Sequence, residues 1–74
     1  REFFHRFIRS LFFHRRKFLR SVLISAFKNQ LQKVDVDEVL QATGLGPDFR
    51  AEQLTVEQIL TLSDAFRAKL AELA

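Results

Sequence analysis

The sequence is organised around one stretch, Phe12-Phe13-His14-Arg15-Arg16-Lys17-Phe18-Leu19-Arg20-Ser21-Val22-Leu23, in which four cations occur within six positions. Apolar residues recur there at intervals of three and four, which predicts a helix over residues 16 to 27 with one apolar stripe: Leu19, Val22, Leu23, Ala26 and Phe27. Arg16 and Arg20 would then lie one turn apart, where like charges repel unless an anion or a carboxylate relieves them. We therefore predict a helix with one core side and one side that attracts negative charge.

The basic run contains three Arg, one Lys and no acid. A charge run on a small domain is often only a solvated helix face, and that interpretation stays open here. A solvated face, however, is expected to mix Lys with Glu, whereas an arginine fork binds phosphate oxygens two at a time and stacks on bases. The composition of the run therefore favours a polyanion as partner.

Length and composition bound the fold. A chain of 74 residues forms one domain with a core that is only marginally stabilising. The 47% of hydrophobic and 28% of charged residues are typical of globular proteins and argue against disorder. The chain has no Cys, which removes disulfides, thiol catalysis and cysteine zinc sites and fits a reducing, cytoplasmic location.

Charge is divided unevenly along the chain. Residues 1 to 33 hold nine of the twelve Lys and Arg and one acid, a net +8, whereas the remainder holds three cations and eight acids, a net −5. Such a chain is expected to bind a polyanion by one end.

The start at Arg1 without a methionine indicates a fragment of a larger protein. No apolar run exceeds three residues, so we expect neither a signal peptide nor a membrane-spanning helix.

Three further helices follow from periodicity and capping signals. A first helix is predicted over residues 3 to 13, with Arg6, Arg9 and Ser10 opposite an apolar face of Phe3, Phe4, Phe7, Ile8, Leu11 and Phe12. After the basic helix, Asp35 as N-cap with Glu38 three residues later predicts a third helix through about Ala42, with Val36, Val39 and Leu40 buried.

Turn signals separate the third helix from the last. Gly44 is expected as its left-handed C-terminal residue, and residues 47 to 50 as one helical turn from which Phe49 fills the core. Thr55 and Gln58 form a capping box that starts the longest helix, to about Leu70. Its predicted face is Val56, Ile59, Leu60, Ser63, Phe66 and Leu70. The fold class is all-α: a small bundle of about four helices with a Gly/Pro turn before the last.

Catalytic and metal-binding patterns are not found. His5 and His14 lack a second ligand at suitable spacing, so we expect surface or capping histidines. Gly44 and Gly46 give G-x-G without a third glycine, a preceding strand or a following lysine, so a phosphate-cradling loop is excluded. No nucleophile has a base partner, and a self-contained enzyme is not indicated.

Two linked segments carry a resemblance to a known family. Residues 13 to 20 (Phe-His-Arg-Arg-Lys-Phe-Leu-Arg) and residues 44 to 58, which include Arg-Ala-Glu-Gln-Leu, resemble the C-terminal helical domain of the small-subunit ribosomal RNA adenine dimethyltransferases. The likeness covers about residues 3 to 66. The family often has asparagine at the place of Ser21 and aspartate at the place of Gly46, so we expect a side-chain hydrogen bond at each place to be lost or replaced.

The resemblance implies a larger protein. Its Rossmann-like domain would lie upstream, bind S-adenosylmethionine and transfer methyl groups to the exocyclic amines of two adjacent adenines near the 3′ end of small-subunit ribosomal RNA. The present chain contains neither the cofactor loop nor the Asn-Leu-Pro-Tyr type motif that holds the target adenine. We therefore expect it to bind no cofactor and to be inactive alone.

The expected role of this domain is to hold RNA flanking the target through phosphate contacts. The predicted RNA-binding residues are Arg15, Arg16, Lys17 and Arg20, followed by Arg6 and Arg9. Arg50, surrounded by carboxylates, is expected to be structural and to pair with Glu52 or other neighbours. The expected partners are small-subunit ribosomal RNA or a ribosomal particle and the protein's own catalytic domain, with no membrane partner and a monomeric state.

Three other interpretations remain open from the sequence. The first two helices could form a helix-turn-helix-like module that binds DNA, although the joint around His14 lacks glycine. The Phe and Arg content of the first 27 residues also suits a helix lying on a membrane surface. Finally, the basic cluster could serve only to dock the domain on the catalytic domain.

Overall fold

The computed structural model describes residues 2–46 and 48–73. They form four α-helices: α1 (Glu2–Phe13), α2 (Leu19–Ala26), α3 (Lys33–Ala42) and α4 (Val56–Leu73). A short 3₁₀ helix, Ala51–Gln53, precedes α4, and these residues include no strand. The all-α class and the first helix are thus confirmed. In the described part of the chain, none of the helices has the length and apolar character needed to cross a membrane.

The core joins all four helices around stacked phenylalanines. The rings of Phe27 and Phe66 lie 5.0 Å apart and nearly parallel, and Phe7 lies 6.1 Å from Phe66. α3 adds Val36, Val39 and Leu40, as predicted. Aromatic pairs at these separations add to the stabilisation from buried area, so these rings are a main source of stability in so small a domain.

The predicted apolar faces are partly wrong. On α1, Phe12 is 63% exposed because the buried stripe runs along Phe7 and Leu11, and the next residue is turned about 100° away from it. On α4, Leu60 is 48% exposed, whereas Leu62, which the prediction left out, is fully buried. The prediction also placed Val56 and Ala26 in the core, and both are exposed. The buried side of α4 is the one that packs on α1 and α3.

Capping was predicted correctly at α4 and one turn too late at α3. The Gln58 N–H donates to Thr55 Oγ1 (3.1 Å) and Thr55 N–H donates to Gln58 Oε1 (2.9 Å), which confirms the capping box. At α3 the N-cap is Gln32, and its N–H donates to the Asp35 carboxylate at 2.9 Å. Asp35 therefore caps α3 from inside its first turn, at the third helical position, rather than from the residue before the helix.

The turn after α3 follows the prediction only in part. Gly44 has a φ of 76°, and Leu45 N–H donates to Leu40 O at 3.0 Å, as in a glycine-terminated helix. Phe49 packs against the core as expected. The helical turn predicted for residues 47 to 50 includes Pro47, which lies outside the described residues, and Arg50 is extended. The 3₁₀ helix follows the predicted range, at Ala51–Gln53.

Gly44→Ala is expected to lower the unfolding free energy by about 1–2 kcal/mol, because an L side chain disfavours the left-handed backbone. No atom lies within 4 Å of a Cβ at this position, so the cost comes from the backbone alone. Gly46→Ala is the matched control: its Cβ also meets open space and its φ is not positive, so it should be neutral or stabilise by up to about 1 kcal/mol. Chemical denaturation measures both, and equal losses would contradict the assigned turn.

Candidate nucleic-acid interface

The connection between α1 and α2 places Arg16 and Lys17 outside the helix in which they were predicted. α2 begins at Leu19, and Phe18 before it is extended, with φ −62° and ψ 137°. Arg16 and Lys17 therefore lie in the preceding turn, not on the helix. The expectation that Arg16 and Arg20 share a helix face is wrong.

The late start of α2 is explained by hydrogen bonds that residues 50–52 donate to the backbone of this turn. Glu52 N–H donates to Arg15 O at 2.9 Å, and Ala51 N–H donates to Lys17 O at 3.3 Å. The Arg50 guanidinium donates to Arg16 O between them. Three successive carbonyl groups are thus bonded to residues 50–52, and Leu19 N–H donates to Phe49 O at 2.7 Å rather than to Arg15 O four positions earlier. The two segments that carry the family resemblance are therefore one packed unit.

Arg15, Arg16 and Lys17 together are called the basic turn below. With their carbonyl groups bonded inward, all three residues are exposed. Within residues 2–46 and 48–73 no carboxylate lies within 4 Å of their cationic groups. Three adjacent positive charges are thus held on an anchored backbone without internal neutralisation, which is an arrangement that attracts an anion.

Arg50 supports the basic turn. Its guanidinium lies 4.6 Å from the centre of the Phe18 ring while it donates to Arg16 O. Its backbone pairs with Phe18 as an isolated antiparallel bridge. The predicted pairing with Glu52 is not among the ion pairs of the described residues. Arg50 therefore holds two parts of the chain together, in line with the structural role expected for it.

Arg20 differs from the basic turn because it already has a partner. Its Nε and Nη2 lie 2.6 Å and 3.2 Å from the two carboxylate oxygens of Asp37 on α3. This hydrogen bonding raises the pKa of Arg20 and lowers the pKa of Asp37 below its ordinary value of 3.8. Asp37 takes two of the five N–H donors of this guanidinium and offsets its charge, so Arg20 is a weaker phosphate site than the basic turn unless it exchanges Asp37. Its role as a phosphate contact stays a prediction.

The Arg20–Asp37 pair predicts a pH dependence of stability. Because the folded pKa of Asp37 is depressed, the contribution of the pair is present above pH 3.8 and is lost as the pH falls through the lower folded pKa. Asp37→Asn should therefore lower the unfolding free energy at neutral pH and flatten its fall on acidification. Urea unfolding at a series of pH values measures this. Asp64→Asn, at an exposed residue without an ion pair among the described residues, should leave the fall unchanged.

The remaining predicted residues lie on α1. Arg6 and Arg9 are exposed, and Arg6 borders a cavity of about 110 Å³ beside Phe3, Phe7 and Phe27. No hydrogen bond or ion pair among the described residues joins them to the basic turn. Among the described residues, His5 and His14 belong to no group of three side chains that could hold a metal ion. The His14 ring lies edge-on to the Phe13 ring, with 5.1 Å between the ring centres.

A feature that the sequence analysis missed lies next to the basic turn. Phe12 is 63% and Phe13 80% exposed, at the last turn of α1. Together with the basic turn they surround an open surface concavity of about 450 Å³, lined by Phe12, Phe13, His14, Arg15, Arg16 and Lys17. The signal in the sequence was two aromatic residues separated from the cations only by His14, but Phe12 was assigned to the core and Phe13 to no face. We call this surface the aromatic-basic concavity.

The geometry defines a small helical domain with one face suited to a polyanion. Sequence comparison then finds relatives named ribosomal RNA small subunit methyltransferase A. The chain is 36% identical over 70 residues to one from Halothermothrix orenii, which covers 95% of the chain and 23% of the relative. It is 38% identical over 63 residues to one from Lactiplantibacillus plantarum, covering 84% of the chain and 21% of the relative. One from Anaplasma phagocytophilum is 34% identical over 67 residues, with 90% and 23% covered.

The chain matches the C-terminal region of these ribosomal RNA methyltransferases. It spans about 23% of the length of the relatives that it matches. No protein-family model and no solved structure matches the chain. The resemblance that the sequence motifs indicated is confirmed.

Proposed function

We propose that the chain is the RNA-positioning domain of an S-adenosylmethionine-dependent ribosomal RNA methyltransferase. The complete protein would transfer methyl groups to the exocyclic N6 of two adjacent adenines near the 3′ end of small-subunit ribosomal RNA. Support comes from the names of its relatives and from the two motifs of residues 13–20 and 44–58. In this proposal the parent is a monomer in the cytoplasm, and its partner is the RNA or a ribosomal particle.

The observation that carries the proposal is the basic turn itself. The 50–52 segment holds its backbone through three hydrogen bonds, and its three cationic side chains are left exposed and without ion pairs among the described residues. A domain stabilised only by internal contacts gains nothing from three unneutralised charges side by side, since they repel each other. A bound phosphate backbone would remove that repulsion.

Phosphate contacts of this kind position RNA without reading its sequence. A methyltransferase that acts on a looped-out adenine needs its flanking strand held in register, and a rigid turn beside the catalytic domain can do this. In the proposal Arg15, Arg16 and Lys17 make the main contacts, Arg20 contributes by exchanging Asp37 for phosphate, and Arg6 and Arg9 extend the basic surface along α1. Cofactor binding and methyl transfer belong to the part of the parent outside this chain.

The experiment that tests the proposal is a salt titration of RNA binding by the purified chain. Binding through phosphates makes log K fall linearly with log salt, with a slope near −0.7 per contacted phosphate on unpaired strands. Three contacts at the basic turn therefore predict a slope of about −2 or steeper. Calorimetry with S-adenosylmethionine alone should give no heat of binding. Salt-independent binding, or methyl transfer by the chain itself, would overturn the assignment of this domain.

A further inference from the structure

The aromatic-basic concavity combines two kinds of group that the phosphate-binding role does not require together. Phe13 is 80% and Phe12 63% exposed, more than most large apolar residues of the described chain. Burial of such rings is favourable, so their exposure beside three cations calls for an occupant with both an apolar face and negative charge. An unpaired nucleotide has both.

We propose that Phe12 and Phe13 form a stacking platform for an unpaired base, while the basic turn binds the adjoining phosphates. The inference rests on the proposed RNA-binding function and specifies its ligand as single-stranded rather than duplex RNA. In duplex RNA the bases are stacked on each other and their faces are not available, whereas unpaired bases stack on aromatic side chains and on Arg guanidinium planes.

The local geometry suits this role. Both rings lie at the end of α1, at successive positions turned about 100° from each other, so they present two differently oriented faces at the same edge. The His14 ring meets Phe13 edge-on at 5.1 Å, which restrains Phe13 while leaving it exposed. Beyond His14 the backbone is fixed at Arg15, Arg16 and Lys17 by residues 50–52. The backbone that carries the cations is therefore anchored directly after the segment that carries the rings.

Charge distinguishes RNA from the main competing occupant, an apolar face of another protein domain. A protein surface that covered Phe12 and Phe13 would also have to bury or neutralise three cations that have no carboxylate partner in the described chain. A nucleotide strand supplies one negative charge for each base. The three consecutive cations next to two rings match that composition.

The test compares an unstructured oligoribonucleotide of mixed sequence with its abasic counterpart, which keeps the phosphates and lacks the bases. The wild-type chain is expected to bind the base-bearing strand roughly 5- to 150-fold more tightly. The double variant Phe12→Ala/Phe13→Ala should lose that preference, bind the abasic strand as the wild type does, and keep the salt slope. Phe12→Leu/Phe13→Leu should behave like the alanine variant, because leucine keeps apolar area but has no π face.

Fluorescence gives a second readout, since the chain contains no Trp or Tyr. Phe13→Trp introduces a single indole at the concavity, and stacking on a base should quench its emission as RNA is added. Val56→Trp places the same probe at a 74% exposed position of α4 and should show no quenching. Circular dichroism confirms that each variant keeps its helices, which is expected because all three replaced residues are exposed.

The two hypotheses fail in different ways. If neither strand shows binding whose affinity falls with salt, the proposed RNA-binding function is wrong. If both strands bind equally, with the expected slope and without indole quenching, RNA binding stands and the stacking inference is overturned, and Phe12 and Phe13 then belong to a protein-docking surface. Full retention of the base preference by the leucine variant would also overturn stacking.

Discussion

Leu62→Ala is expected to reduce the unfolding free energy by about 2–5 kcal/mol, because Leu62 is fully buried on α4 and its loss leaves a cavity. A domain of this size has a total stability of only about 4–11 kcal/mol. The substitution should therefore remove a large part of it and lower the midpoint of thermal unfolding by about 4–8 °C for each kcal/mol. Circular dichroism at helical wavelengths, recorded during heating and in urea, measures the effect.

Leu60→Ala provides a closely matched control. The substitution is chemically the same, lies two residues away on the same helix and has the same helix propensity change, but Leu60 is 48% exposed. We expect a loss below about 1 kcal/mol, because truncation of a half-exposed side chain removes less buried apolar area. The sequence pattern alone predicts the reverse order, with Leu60 in the core and Leu62 outside it. A larger effect at Leu60 than at Leu62 would show that α4 packs through the other face.

Local signals in the sequence predicted local structure well. The capping box of Thr55 and Gln58 and the left-handed Gly44 depend on residues within a few positions of each other, and both were found where predicted. The helical periodicity of α1 was also sufficient to give its bounds. Errors on α1 and α4 arose because periodicity leaves the edges of an apolar face undefined, and the packing of a partner helix decides which residues at those edges, such as Leu60 and Leu62, are covered.

Contacts between distant residues explain the errors at the candidate site. Arg50 bonds to Arg16 O across 34 positions, and this contact and its neighbours prevent the helix from starting before Leu19. Arg20 is paired with Asp37 across 17 positions, which no helical spacing could indicate. The sequence did predict that Arg15, Arg16 and Lys17 lie together, because they are consecutive. Their exposure and lack of ion pairs in the described residues depend on the fold around them.

Exchanging Arg15, Arg16 and Lys17 together for Gln is expected to have the largest effect on RNA binding. Each lost phosphate contact on an unpaired strand should reduce the magnitude of the salt slope by about 0.7, so the triple variant should lose about two units and bind unrelated RNA sequences more weakly to a similar degree. Backbone hydrogen bonds, not these side chains, hold the turn, so the fold should persist. Helical content is checked first, because long basic side chains also cover apolar surface.

A charge-matched control separates local contacts from net charge. Lys28, Lys33 and Arg67 make no ion pair among the described residues, and their joint exchange for Gln changes the formal net charge of +3 to zero, as the basic-turn variant does. Lys28 and Lys33 follow the far end of α2, a helix about 12 Å long. At a salt concentration where the Debye length is about 10 Å, charges at that distance act weakly on a phosphate at the basic turn. The control should therefore keep most of the salt slope.

Equal loss of the salt slope in both variants would mean that RNA binding responds only to net charge. Unchanged binding by a folded basic-turn variant would leave Arg15, Arg16 and Lys17 as a docking surface for the catalytic domain.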